Sequence, residues 1–138
     1  MSTPTIDSKP HGSCHDAPSG QVLLAIRQFN ARHWFDCHET LEPLWLRAHG
    51  EQRAFYQGII QSAIALHHWK NGNYNGSQAL LTSAADYLSQ VGSPCQWVDV
   101  SGLIVQLQTV QQLLSQLGPD RMQQLDPAWL PRITTVST

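Results

Sequence analysis

The sequence predicts an all-α protein, an antiparallel bundle of about five helices preceded by a flexible N-terminal tail. Two observations carry this. From residue 21 onward apolar residues recur at helical spacing with no run of strict alternation, and Gly or Pro falls between the periodic segments. The length of 138 residues adds that one ordinary domain, with one core, is what the chain can build.

Residues 1–19 carry Pro4, Pro10, Pro18 and Gly12 among Ser, Thr and Asp, with almost no apolar residue to bury, and read as the flexible tail. His11, Cys14 and His15 within it are metal-ligand types, but a floppy tail gathers such residues by composition more often than by design. Helices follow at about residues 20–30, 33–48, 51–70, 74–91 and 100–117, so that the bundle occupies 20–118. Ser19, Asn73 and Asp99 are the expected N-caps, because their short side chains accept from backbone N–H groups of the first turn. Asn71-Gly72, Gly92-Ser93-Pro94 and Gly118-Pro119 are the expected stops. Residues 119–138, with Pro127, Trp129 and Pro131, read as an irregular segment that Trp129 and Leu130 pin to the bundle.

Helix four carries Leu80, Leu81, Ala84, Tyr87, Leu88 and Val91 on one arc, and helix five repeats the pattern with Leu103, Ile104, Leu107, Val110, Leu114 and Leu117. Both are core faces with no chemical role. Helix three differs: Phe55, Tyr56, Ile59, Ile60, Ala63, Ile64, Leu66 and Trp69 cover most of its circumference, the mark of a central helix.

Charge excludes several functions. Eight Lys and Arg against ten Asp and Glu leave a formal net charge of −2, with no basic footprint for nucleic acid or acidic lipid. Three widely spaced cysteines, Cys14, Cys37 and Cys95, form neither a C-x-x-C pair nor a disulfide framework, which fits a reducing, cytoplasmic setting. No stretch reaches the ~18 apolar residues of a membrane span, so no membrane role is expected.

One constellation points to chemistry. On a helical wheel the apolar residues Trp34, Phe35, Leu41, Leu44, Trp45 and Leu46 span an arc of about 200°, and His38 and Glu42 fall inside it with Glu39 at its edge. A carboxylate and an imidazole turned toward an apolar interface need partners. The chain has fifteen Gln and only three Glu, and two of those three are Glu39 and Glu42. On helix three, Gln57, Gln61 and His68 share one sector beside the small residues Ala54, Gly58, Ser62 and Ala65, where helix two is expected to pack. His67 points elsewhere, so His68 is the expected partner.

The string His38-Glu39-Thr40-Leu41-Glu42 keeps the i, i+4 ligand geometry of the helical zinc motif H-E-x-x-H with a carboxylate as second ligand. Read that way, His38, Glu42 and His68 hold a zinc-like divalent metal, and Glu39 is the general base if the protein is an enzyme, a metal-dependent hydrolase. Read structurally, His38, Glu39, Glu42, Gln61 and His68 form a hydrogen-bonded cluster that fixes helix register. Cys37 is no partner for His38, because neighbours on a helix point 100° apart. Pro43 is expected on the solvent face, bending helix two around its neighbour.

Phe29-Asn30, Phe35, His38-Glu39-x-x-Glu42-x-x-Trp45, Phe55-Tyr56-x-Gly58-x-Ile60-Gln61-x-Ala63, His68, Gly72-Asn73, Gly76 and Leu80-Leu81 occur in an order that resembles the domain of unknown function 309 family. The resemblance covers about residues 23–115. It implies a small, intracellular all-α bundle with a shared polar cluster at His38, Glu39, Glu42, Gln61 and His68, and it supplies no reaction. The leading expectation is therefore a pocket between helices two and three that holds a divalent metal or a small polar ligand. The alternative is a helical protein-interaction module, with some of the five tryptophans as anchors.

Overall fold

The computed structural model describes residues 13–136. Five helices follow in order: α1 (Gly20–Asn30), α2 (Trp34–Arg47), α3 (Gly50–Lys70), α4 (Tyr74–Leu88) and α5 (Val100–Leu117). Short 3-10 helices then span Pro119–Gln124 and Pro127–Trp129. Extended pairing among the described residues is limited to two isolated bridges, Cys95 to Val98 and Val98 to Thr135.

Local chemistry sets the boundaries. Ser19 accepts from Val22 N–H, Asn73 from Gly76 N–H and Asp99 from Gly102 N–H, the three expected caps. α1 and α3 end in the same turn. His33 N–H reaches back to Gln28 O and Arg32 N–H to Phe29 O, as Asn73 N–H reaches His68 O and Gly72 N–H reaches Trp69 O. The residue that must turn left-handed is Gly72 at φ +78° in one turn and Arg32 at φ +67° in the other. α4 stops at Leu88, three residues before the expected boundary, because Ser89 caps it and Gln90 and Val91 tighten onto the carbonyls of Tyr87 and Leu88.

α3 is the centre of the bundle. It packs against α2 on one side and α4 on another, with α1 covering α2 and α5 covering α4. Residue pairs run in opposite senses along each interface: Trp34 meets Trp69 while Trp45 meets Gln57, and Tyr74 meets Leu114 while Gln78 meets Gln111. The small strip of α3, expected to receive α2, receives α4 instead. A methyl group on Gly58 would lie 2.5 Å from the Leu88 side chain, and Ser62 keeps its hydroxyl satisfied within α3 by donating to Gly58 O at 2.7 Å. Leu81, Ala84 and Leu88 make α4 the better filler for that groove, being fully apolar where α2 carries His38 and Glu42.

The described segments on either side of the five helices are more ordered than the sequence suggests. Residues 1–12, including His11, lie outside the described residues. From Ser13 onward the segment expected to be tail is attached: Cys14 is buried and disulfide-bonded to Cys95, and its carbonyl accepts from Gln96 N–H at 2.8 Å. That bond departs from the reducing setting inferred from cysteine count. The two residues are 81 apart in sequence and meet only because the α4–α5 loop lies against the segment before α1, so spacing could not reveal the pair. It also removes Cys14 from any metal-ligand set with His15.

The C-terminal segment is strapped down by amide side chains. Asn30 donates to Ile133 O and accepts from Ile133 N–H, at 2.9 and 2.8 Å. Gln106 does the same for Arg132, at 3.0 and 2.8 Å. Leu130 and Ile133 are buried beneath, whereas Trp129, 52% exposed, lines a surface cavity with Leu113 and Leu117 of α5.

The Cys14–Cys95 bond closes a long loop, and such a closure stabilises by about 2–4 kcal/mol through the unfolded chain. Cys14→Ser is therefore expected to lower the urea midpoint by that amount of free energy, and a reducing agent should bring the unsubstituted chain to the same midpoint while leaving the variant unmoved.

Candidate functional site

The site expected from the sequence lies where α2 crosses α3, but α2 is rotated relative to the expected face. Its buried residues are Trp34, Cys37 and Leu41, while Phe35 and Leu46 are 45% and 62% exposed. The centre of burial thus falls on the Cys37 side of the apolar arc. His38 sits at the rim with its side chain 23% exposed, and Glu42 is further out at 53%. Glu39 and Pro43 face solvent.

His38 and Glu42 are together: His38 Nε2 lies 3.8 Å from Glu42 Oε2 across one helical turn. On the other side Glu42 shares a cavity of about 160 Å³ with Trp45, Gln57, Ile60 and Gln61. Trp45 closes one wall. Its indole N–H donates to Gln57 Oε1 at 2.9 Å, and the Arg53 guanidinium lies 4.2 Å above its ring. Two polar atoms of the expected cluster are buried without a hydrogen-bond partner, His38 Nδ1 and Gln61 Oε1. Unsatisfied buried polar atoms are uncommon and cost roughly 1–3 kcal/mol each.

His68 is turned to other work. Its Nδ1 accepts from Asn73 Nδ2 at 3.3 Å, and its carbonyl takes Asn73 N–H, so it supports the α3–α4 turn. The imidazole beside α2 is that of His67, whose ring centroid lies 5.4 Å from that of Phe35, which in turn is 5.5 Å from His38. The sector shared by Gln57, Gln61 and His68 was the right one for the two glutamines, but at the last turn of α3 the left-handed Gly72 brings Asn73 back onto His68. Among the described residues no group of three or more His, Cys, Asp or Glu side chains is placed to hold a metal ion. The structure thus brings together His38, Glu42 and Gln61 and leaves Glu39 and His68 apart from them.

Sequence reasoning missed Trp45, Gln57 and Arg53 as a unit. The signal was present in the i, i+4 spacing of Arg53 and Gln57 on α3, opposite a tryptophan whose indole N–H needs an acceptor. Cys37, fully buried, has its thiol pushed up to about 12 by desolvation and is not a nucleophile.

The fold and the site define a small helical-bundle protein with a cavity of mixed polar and apolar lining between its second and third helices. Residues 22–80 are similar to the family described as "Domain of unknown function (DUF309)". A relative, "Uncharacterized protein YpuF" of Bacillus subtilis (strain 168), is 36% identical over 68 residues, which span 49% of this chain and 39% of the relative. The match therefore spans about two fifths of that protein's length. No helix among the described residues is long and apolar enough to cross a membrane.

Two outcomes follow from this geometry. Glu42 is half exposed, whereas Glu51 accepts from Gly92 N–H at 2.7 Å and ties α3 to the α4–α5 loop. Glu51→Ala is expected to cost about 1 kcal/mol and Glu42→Ala about 0.5 or less, read as a difference of a few degrees in melting temperature. The Cys37 thiol is raised on folding from 9.0 to about 12, so its contribution to stability is full below pH 9 and lost as pH rises toward 12. Urea midpoints across that range should fall more steeply for the unsubstituted chain than for Cys37→Ala.

Proposed function

We propose that this protein binds a small cationic ligand bearing N–H donors in the cavity between α2 and α3. The observation that carries the reading is a pair of acceptors in the lining: the Glu42 carboxylate offers two acceptor oxygens and Gln61 Oε1 is an acceptor without a donor, while the indole N–H of Trp45 is already committed to Gln57. A ligand that donates to Glu42 and Gln61 and lays a short apolar stem along Ile60 and Trp45 complements those four residues. A volume near 160 Å³ suits an amine or amidine of a few heavy atoms.

A divalent metal is the second reading. The His38 and Glu42 ligand atoms, 3.8 Å apart at i, i+4, favour it. The partnerless His38 Nδ1 weighs against it, because a metal-bound imidazole ordinarily donates its other N–H to a second group.

Calorimetric titration of the full chain with ethylammonium and, separately, with Zn²⁺ separates these readings. Saturable ethylammonium binding that Glu42→Gln and Gln61→Leu abolish and His38→Gln retains is the expected result. Zinc binding lost in His38→Gln, with no response to ethylammonium, would replace the first reading by the second; no saturable response to either ion would overturn both.

A further inference from the structure

A second cavity, of about 300 Å³, opens where the segment before α1 meets the α4–α5 loop. Cys14, His15, Glu51, Ser93, Pro94 and Trp97 line it. It shares no residue with the Glu42–Gln61 cavity, and one half of the Cys14–Cys95 disulfide forms part of its wall. The two half-cystines are not equivalent. Cys14 lines the cavity and keeps 8% of its surface exposed, whereas Cys95 is fully buried and set back from the lining. Thiol attack on a disulfide is governed by which sulfur can be reached, and here that sulfur belongs to Cys14.

The fastening that this bond completes is slight. Among the described residues the hydrogen bond that joins residues 13–18 to the loop runs from Gln96 N–H to Cys14 O, and those that Ser13, His15 and Asp16 donate lie within the segment. The loop itself is held in an unfavourable backbone. Cys95 and Val98 exchange backbone hydrogen bonds of 3.0 and 2.8 Å around two residues that both turn left-handed, Gln96 at φ +45° and Trp97 at φ +70°. Such a two-residue turn suits Asn-Gly, and larger side chains in it are strained. It sends Gln96 inward, where the amide donates to Tyr56 Oη at 3.2 Å, and leaves Trp97 at the cavity. The disulfide thus clasps a strained turn to a lightly held segment.

We propose that Cys14 is a thiol-exchange site and that the thiol it takes is a small aminothiol. The incoming thiolate sulfur bonds to the Cys14 sulfur as the Cys14–Cys95 bond breaks, and Cys95 leaves as a thiolate. The proton that the incoming thiol gave to water returns to Cys95. One disulfide replaces another, so no oxidant or reductant is consumed. Charge selects the thiol. Among the described residues the lining carries the Glu51 carboxylate and no Lys or Arg. Glu51 Oε2 accepts from Gly92 N–H at 2.7 Å, which leaves Oε1 to accept from an ammonium group. An anionic thiol meets the same carboxylate as a repulsion. Exchange unclasps residues 13–18 from the α4–α5 loop and frees the turn to relax, so the bond is a chemical latch on that face.

Two thiols of similar size and opposite charge test this: cysteamine and mercaptoethanesulfonate, reacted separately with the full disulfide-bonded chain at low ionic strength and without denaturant. Acid quenching at early times, followed by peptide mapping, is expected to find cysteamine on Cys14 with Cys95 free. The rate of disulfide loss with cysteamine is then divided by that with mercaptoethanesulfonate, and this ratio is compared between chains, so that the intrinsic reactivities of the two thiols cancel. It is expected to fall about fivefold in Glu51→Gln, the effect of two exposed charge interactions of opposite sign, while glutamine keeps an acceptor for Gly92 N–H. In urea, with Glu51 no longer beside Cys14, both chains should give the lower ratio. Cysteamine found on Cys95, a disulfide that cysteamine leaves intact without denaturant, or a ratio unchanged by Glu51→Gln would each overturn the proposal.

Discussion

A 21-residue helix with apolar or small residues around most of its circumference has no stable place in water, and the rest of this molecule is the cover for α3. α4 takes the tightest position, because Gly58 admits Leu88 at a distance any side chain would block. That choice leaves α2 the side of α3 that carries Gln57 and Gln61. An apolar helix laid there would strand two amides, and α2 instead brings Trp45, His38 and Glu42. The match is incomplete, and the cavity with its partnerless acceptor is what the incompleteness leaves behind. The candidate site is thus a by-product of how α3 is buried, placed at an interface where the packing is polar.

The outer parts are fastened by a different interaction. Charged residues are 13% of the chain, and its polar economy runs on amides. Asn30 and Gln106 each exchange a donor and an acceptor with one residue of the C-terminal segment, and Gln78 and Gln111 reach each other's backbone carbonyls between α4 and α5. Gln123 donates to Trp69 O and Gln21 to Thr40 O. Such amides imitate a strand edge: they satisfy loop backbone that would otherwise face an apolar surface without partners.

Helix existence, order and caps were legible because they are local: apolar period, a capping side chain, a glycine after the last turn. Pairings between helices were less so. The wheel of α2 counted Phe35 and Leu46 as core, although they are exposed, and gave Cys37 no weight, although it is fully buried; the face it inferred was turned toward Glu42 as a result. The small strip of α3 correctly announced a close neighbour without saying which helix it was. His68 was displaced from the expected cluster by Asn73, a residue read only as a cap for α4. The Cys14–Cys95 bond and the Asn30 and Gln106 straps join residues far apart in sequence, and no single-sequence pattern marks such pairs.

The reliance on amides also separates the fold from the ionic medium. Hydrogen bonds between neutral amides and backbone groups are not screened by dissolved salt as charge pairs are, and the ion pair found among the described residues is a partly exposed contact between neighbours on one helix. The bundle therefore has almost nothing to lose as ionic strength rises. Glu42 and Glu51, by contrast, carry their charges at cavities open to ions, so concentrated salt acts on what this protein can hold and leaves its architecture alone.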